Sequence, residues 1–82
     1  MTDKDIYLEC LGNVIRQNRL ERGMTQEQLA ISSGYVGETA RSTMSKIERG
    51  KVDLPISKIR DIAKALDTST WGLINEAEWR MS

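Results

Sequence analysis

Residues 24–50 read MTQEQLAISSGYVGETARSTMSKIERG. Two short helical patterns are written here, separated by a glycine-containing turn. The first has a full start signal. Thr25 is an N-cap residue and Gln28, three positions on, completes a capping box, in which each side chain satisfies a backbone N–H of the other residue. Met24 and Leu29 occupy the two positions of a hydrophobic staple. The spacing predicts a helix running to about Ser33 and stopped by Gly34. After Gly34-Tyr35-Val36-Gly37-Glu38, a second helix is expected from Thr39 or Ala40 to just before Gly50. At about 100° per residue, Ala40, Met44 and Ile47 of this helix fall in one arc of roughly 60°. Arg41, Ser42, Ser45, Lys46 and Arg49 fall in a separate arc of roughly 140°. Glu48 lies at the margin of the apolar arc, where an unpaired carboxylate is costly to desolvate, so a basic partner is expected for it.

The flanking sequence supplies three more helices. Leu8, Leu11, Val14, Ile15 and Leu20 approximate an apolar stripe over a helix from about Ile6 to Arg22, ended by Gly23. Pro55 suits the first turn of a helix from about Ile56 to Leu66, with Ile56, Ile59, Ile62, Ala63 and Leu66 on one side. Ser69 then caps a helix from about Thr70 to Trp79, with Leu73 and Ile74 facing in. No strand pattern, repeat or low-complexity segment interrupts this order. The expected class is all-α: a five-helix bundle forming one domain over residues 1–82, with its central two-helix unit at about 25–50.

The chain's 82 residues, 39% hydrophobic, can build one small core but leave little to spare. No apolar run approaches the roughly 20 residues needed to span a bilayer, so no membrane association is expected. The acidic, polar start MTDKDIYLEC is no secretory signal, and Cys10 stands alone. Both fit a reducing cytoplasm, with Cys10 as a small, partly buried apolar residue. The formal net charge is zero, but the charge is unevenly spread. Residues 1–9 and 61–82 each carry −2, residues 10–40 balance, and residues 41–60 carry +4. The positive excess sits on the second helix of the central unit and the loop after it.

Catalytic chemistry finds little here. The chain has no His and one Cys, which removes a histidine base, a histidine ligand and a thiolate zinc site. Its glycines are scattered, so no phosphate-cradling loop precedes a helix. Glu27 with Glu38, or Glu76 with Glu78, has nothing to place it in a cleft. No enzyme activity, cofactor, metal or small-molecule ligand is expected.

A two-faced helix with a basic, hydroxyl-bearing side, braced by the helix before it, has the layout of a helix-turn-helix. In that motif the second helix enters the DNA major groove. The strings RLERGMTQEQLAISSG, RSTMSKIERGK and IRDIAKALDTSTWGLIN carry the likeness further. Over Leu11 to Asn75 the chain resembles the lambdoid repressor and Cro-type helix-turn-helix family, short phage-type repressors and restriction-modification controllers among them. The resemblance implies a dimeric regulator that binds double-stranded DNA at a pseudo-palindromic operator, commonly in its own promoter. It places Gln26 against a DNA phosphate, and Arg41, Ser42 and Lys46 toward base edges with Ser45 beside them. Thr43, Arg49 and Lys51 would lie near the DNA backbone, and Arg19 would pair with Glu48.

Three departures stand out. YVGETA replaces a turn of about two residues, Asn18 stands where many members have Leu, and Asp67 replaces a common Gly at a position that favours left-handed backbone. One domain reads about half a site, so a homodimer is expected. Its contact is placed on the last helix and the loop before it, around Trp71, Leu73, Ile74 and Trp79. Tryptophans there either close the core or, if exposed together, mark a subunit contact. No ligand-sensing module is expected. Regulation is therefore expected from dimer concentration, a protein antagonist or operator arrangement. An antitoxin or bridging module with the same fold is the competing reading. It would carry a tail beyond the fifth helix, where few residues remain.

Overall fold

The computed structural model describes residues 1–82 and contains five helices: α1 (Asp3–Glu21), α2 (Gln26–Ser32), α3 (Ala40–Glu48), α4 (Ile56–Ala65) and α5 (Thr70–Met81). Helix α1 packs along α5 and across α3; α2 packs on α3 and α4, and α4 touches α5. Leu11, Val14 and Ile15 of α1, Leu29 of α2, Met44 and Ile47 of α3, Ile59 and Ile62 of α4 and Leu73 of α5 meet in one core. All five helices thus contribute to a single apolar centre, as the all-α expectation required.

Helix α1 starts earlier than its apolar stripe suggests. Thr2 caps it: its hydroxyl accepts from the Asp5 backbone N–H, and the Asp5 carboxylate accepts from the Thr2 N–H. This is the same reciprocal device that opens α2 at Thr25 and Gln28. The Thr2 backbone N–H bonded to the Asp5 carboxylate, with the Thr2 hydroxyl adding to it, holds that carboxyl below its ordinary value. Two expected core positions are corrected. Leu20 is half exposed, because it falls on the side of α1 away from α3 and α5. Ile56 is also exposed; it is the first residue of α4, one turn ahead of the packed stripe. Asn18 is half-buried and turns its amide back to the Val14 carbonyl at 2.9 Å, satisfying itself within α1.

The helix ends are set by backbone closure. At the end of α3 the Lys51 N–H reaches the Lys46 carbonyl at 2.9 Å, with Gly50 in left-handed backbone between them. A side chain at Gly50 is excluded twice over, since a Cβ there would stand 2.7–2.9 Å from the backbone of Leu8 and Glu9. The end of α4 closes in the same way through Asp67, at φ 55°. Aspartate tolerates this region better than most residues do, which explains how it can replace glycine there.

Helices α1 and α3 approach unusually closely. A Cβ on Gly12 would lie 2.5 Å from the carbonyl oxygens of both Ile47 and Glu48. Backbone on both sides leaves no soft neighbour to move. Gly12→Ala should therefore cost about 1–3 kcal/mol or more, read as a drop in the thermal unfolding midpoint. A midpoint within error of wild type would contradict the close approach.

Candidate nucleic-acid interface

Helix α3 is held by its inner face. Ala40, Met44 and Ile47 are buried. That orientation turns the opposite side to solvent: Arg41, Ser42, Lys46 and Arg49 are exposed and Ser45 is half-buried. Thr43, on the flank, is also half-buried, and Lys51 follows exposed in the next loop. None of these cations belongs to any of the four ion pairs, which are Lys4–Asp53, Arg19–Glu48, Lys58–Asp61 and Glu76–Arg80. Arg49 makes a single weak bond to its own helix, Nε to the Ser45 carbonyl at 3.3 Å. Ser42 donates to the Thr39 carbonyl at 3.0 Å, which fixes its hydroxyl at the first turn of α3.

Beneath this face lies a buried ionic joint. The Arg19 Nε donates to Glu48 Oε2 at 2.7 Å and one terminal nitrogen donates to Oε1 at 3.0 Å. The other terminal nitrogen caps the Met24 carbonyl at 2.9 Å. Side-chain exposure is 9% for Arg19 and 2% for Glu48, so both charges are out of water and each depends on the other. Gln26, half-buried in the first turn of α2, adds a bond from Nε2 to Glu48 Oε1 at 3.2 Å. The basic partner for Glu48 was legible from its place on the α3 wheel. The Gln26 link spans 22 residues, and no local periodicity reports it.

Lys58 is removed from the free positive charge that the sequence assigns to residues 41–60. Its ammonium donates to the Ser33 carbonyl at 3.1 Å, pairs with Asp61 at 3.5 Å and lies 4.3 Å from the Tyr35 ring centre. Burial pushes the Tyr35 phenol above its ordinary value, and Asp61 adds to the shift. Lys58 thus ties the start of the long turn to α4. Beyond it, residues 36–39 stand exposed, ahead of α3.

Helix α5 divides differently from expectation. Trp71 and Trp79 are 72% and 78% exposed, two turns apart on the outer side, and do not close the core. Leu73, expected with them at a subunit contact, is 1% exposed. Its position about 200° around the helix from Trp71 points it inward, so it is withdrawn from the contact surface. Ile74 is half-buried against the core. Arg80 fastens the last turn, donating to Gln17 at 2.6 Å and to Glu76 at 3.0 Å.

No group of three or more His, Cys, Asp or Glu is placed to hold a metal ion, and no helix is long and apolar enough to cross a membrane. A supported helix presenting unpaired cations and hydroxyls to solvent, after a bracing helix and a turn, defines a helix-turn-helix DNA-binding domain. The helix-turn-helix family pattern matches residues 15–70, and the chain belongs to that family.

Solved structures agree. The restriction-modification controller protein C.AhdI from Aeromonas hydrophila is 33% identical, with a TM-score of 0.72 over 80% of this chain and 94% of that one. A mutant of the restriction-modification controller protein C.Esp1396I is 32% identical, with a TM-score of 0.75 over 93% and 96%. The clp gene regulator ClgR from C. glutamicum is 26% identical, with a TM-score of 0.81 over 93% and 94%. A search of the curated proteins finds no match. Family and neighbours together make this chain a DNA-binding transcriptional regulator.

The ionic joint has a definite energetic signature. Glu48→Ala leaves a buried guanidinium unpaired and should cost about 3–5 kcal/mol. Arg19→Met combined with Glu48→Met removes both charges together and should stay within about 1–2 kcal/mol of wild type, or exceed it. Urea unfolding of the two variants tests this. A double variant no more stable than Glu48→Ala contradicts the assignment.

Proposed function

We propose that the chain is a homodimeric, sequence-specific regulator of phage or mobile-element type, which represses from a pseudo-palindromic operator in its own promoter region. The outward face of α3 carries this reading. Arg41 is long, planar and unpaired, and it suits bidentate contact with guanine O6 and N7. Ser42, Ser45 and Lys46 share the face and add shorter or single contacts to base edges. Gln26, Thr43, Arg49 and Lys51 surround it as contacts to the DNA backbone, which set register and affinity rather than sequence preference. The protein acts by binding, without catalysis, cofactor or small-molecule ligand, and it works in the cytoplasm where the DNA is.

Groove geometry favours a two-fold dimer, because one α3 covers only a half-site and the next groove face on the same side lies about 34 Å away. The exposed pair Trp71 and Trp79, with Ile74 at the edge, supplies the apolar surface for the contact. A controller that both activates and represses is the second reading. It is favoured by likeness to two restriction-modification controllers over most of the chain.

Mobility shift on the DNA upstream of the chain's own gene tests the reading face. Arg41→Ala with Lys46→Ala should weaken operator binding about 100-fold, at about 1–3 kcal/mol for the guanine contact plus a smaller share for the ammonium, with helicity by circular dichroism unchanged. Lys51→Ala should instead lower the slope of log affinity against log salt by about 0.9. Unaltered binding in the Arg41/Lys46 variant sinks the assignment of this face.

Light scattering after size exclusion tests the dimer. Wild type at high micromolar concentration should run at twice the chain mass, and Trp71→Ser with Trp79→Ser at the chain mass. A monomeric wild type overturns the dimer.

A further inference from the structure

We infer that Glu48 is a positioning residue for DNA binding: by fixing the amide of Gln26, it aims that amide's second N–H at a DNA phosphate. The inference rests on the regulator reading above and concerns how one backbone contact of that reading is prepared.

Three observations carry it. First, a carboxylate only accepts hydrogen bonds. The Gln26 atom 3.2 Å from Glu48 Oε1 must then be the nitrogen, and the two-fold ambiguity of the amide is resolved by its neighbour. Second, Glu48 is itself immobile, 6% exposed and held by two bonds from Arg19. A donor bonded to it inherits that rigidity. Third, the Gln26 nitrogen makes no other bond within the protein. Gln26 lines an open cleft of about 560 Å³ with Arg19, Met24, Thr25, Glu27 and Arg41.

Charge by itself gives this cleft little attraction for an anion. Arg19 is neutralised by Glu48, and Glu27 offsets Arg41. What remains is orientation: a donor held ready needs no reordering when phosphate arrives. An unpinned glutamine would present its carbonyl oxygen to the phosphate about as readily as its nitrogen.

A double-mutant cycle separates this role from simple support of the fold. Operator Kd is measured by fluorescence anisotropy, corrected for the folded fraction by circular dichroism. In the wild-type background Gln26→Ala should weaken binding about tenfold or more, the scale of a hydrogen bond to a charged group. In the Glu48→Gln background, the same change should cost less than about twofold. Should Glu48→Gln fail to fold, the Arg19→Met, Glu48→Met background, which keeps apolar packing, replaces it with the same expectation. A purely structural role for Glu48 predicts equal Gln26→Ala losses in both backgrounds, and that result overturns the inference. So does a Gln26→Ala that binds like wild type.

A second readout needs no DNA. The two Gln26 side-chain amide protons should be well separated in ¹⁵N-correlated NMR spectra of wild type and collapse toward free-glutamine positions once Glu48 is replaced. Unmoved resonances overturn the pinning. Wild type that binds no fragment of its upstream DNA defeats the regulator reading itself, whereas equal losses in a protein that binds defeat only the role of Glu48.

Discussion

The Arg19–Glu48 pair is the constraint around which the rest is arranged. It joins the last turn of α1 to the last residue of α3, and through the Met24 carbonyl and Gln26 it also holds the opening of α2. Two ions out of water tolerate no separation, because each pays a full desolvation penalty once it loses the other. The end of α1 and the opening of α2 are therefore locked at one point to the far end of α3, 29 residues on from Arg19. No buried side-chain nitrogen or oxygen is left without a partner, which is the condition for such a joint to be an asset. Gly12 makes the approach possible by removing the Cβ that would strike the Ile47 and Glu48 carbonyls.

With its C-terminal end fixed there and Met44 and Ile47 buried in the core, α3 has no freedom to rotate. This explains how the long turn can be accommodated. The segment from Gly34 to Thr39 starts at a point tied down by Lys58 and ends at a buried Ala40. Its extra length bulges into solvent between two anchored ends. Loops of this kind absorb added residues at small entropic cost, and the orientation of α3 is determined elsewhere.

Much of this was legible in the sequence because it is local. The Thr25 capping box, the two-faced α3 wheel, the Ser69 cap and the left-handed Asp67 are each decided within a few residues. Glu48 at a core margin implied its basic partner without coordinates. The failures have equally definite causes. The Thr2–Asp5 cap uses a shorter acid in the box than the usual glutamate or glutamine, and it lies ahead of the apolar stripe from which the start of α1 was judged. Leu20 lies on the side of α1 opposite the packed stripe, and Ile56 shares the α4 stripe but stands at the exposed first turn of that helix. Leu73 does face in, as its spacing predicts, and that burial is incompatible with its other assignment to the subunit contact. Lys58 counted as free charge because its partners Ser33 and Tyr35 lie on another element. The bond from Gln26 to Glu48 exists only once α2 and α3 are docked.

The net charge of zero is no obstacle to a polyanionic partner once the pairing is known. Four of the twelve basic residues, Lys4, Arg19, Lys58 and Arg80, are held in ion pairs. Of the eight that remain, Arg41, Lys46, Arg49 and Lys51 lie on α3 or just after it, while Asp3, Asp5, Glu9, Glu76 and Glu78 lie on α1 and α5. Fields of exposed charges fade over a Debye length of about 8–10 Å at moderate salt. A duplex lying along α3 would therefore respond to the cations beside it far more than to Glu76 and Glu78 on α5, while Asp5 and Glu9 stand near Lys51 and temper that end of the face. Overall neutrality limits long-range attraction to any DNA, and it leaves binding to depend on close contact with the reading face. A protein so arranged loses non-specific affinity sooner than specific affinity as salt rises, which favours discrimination between an operator and bulk DNA.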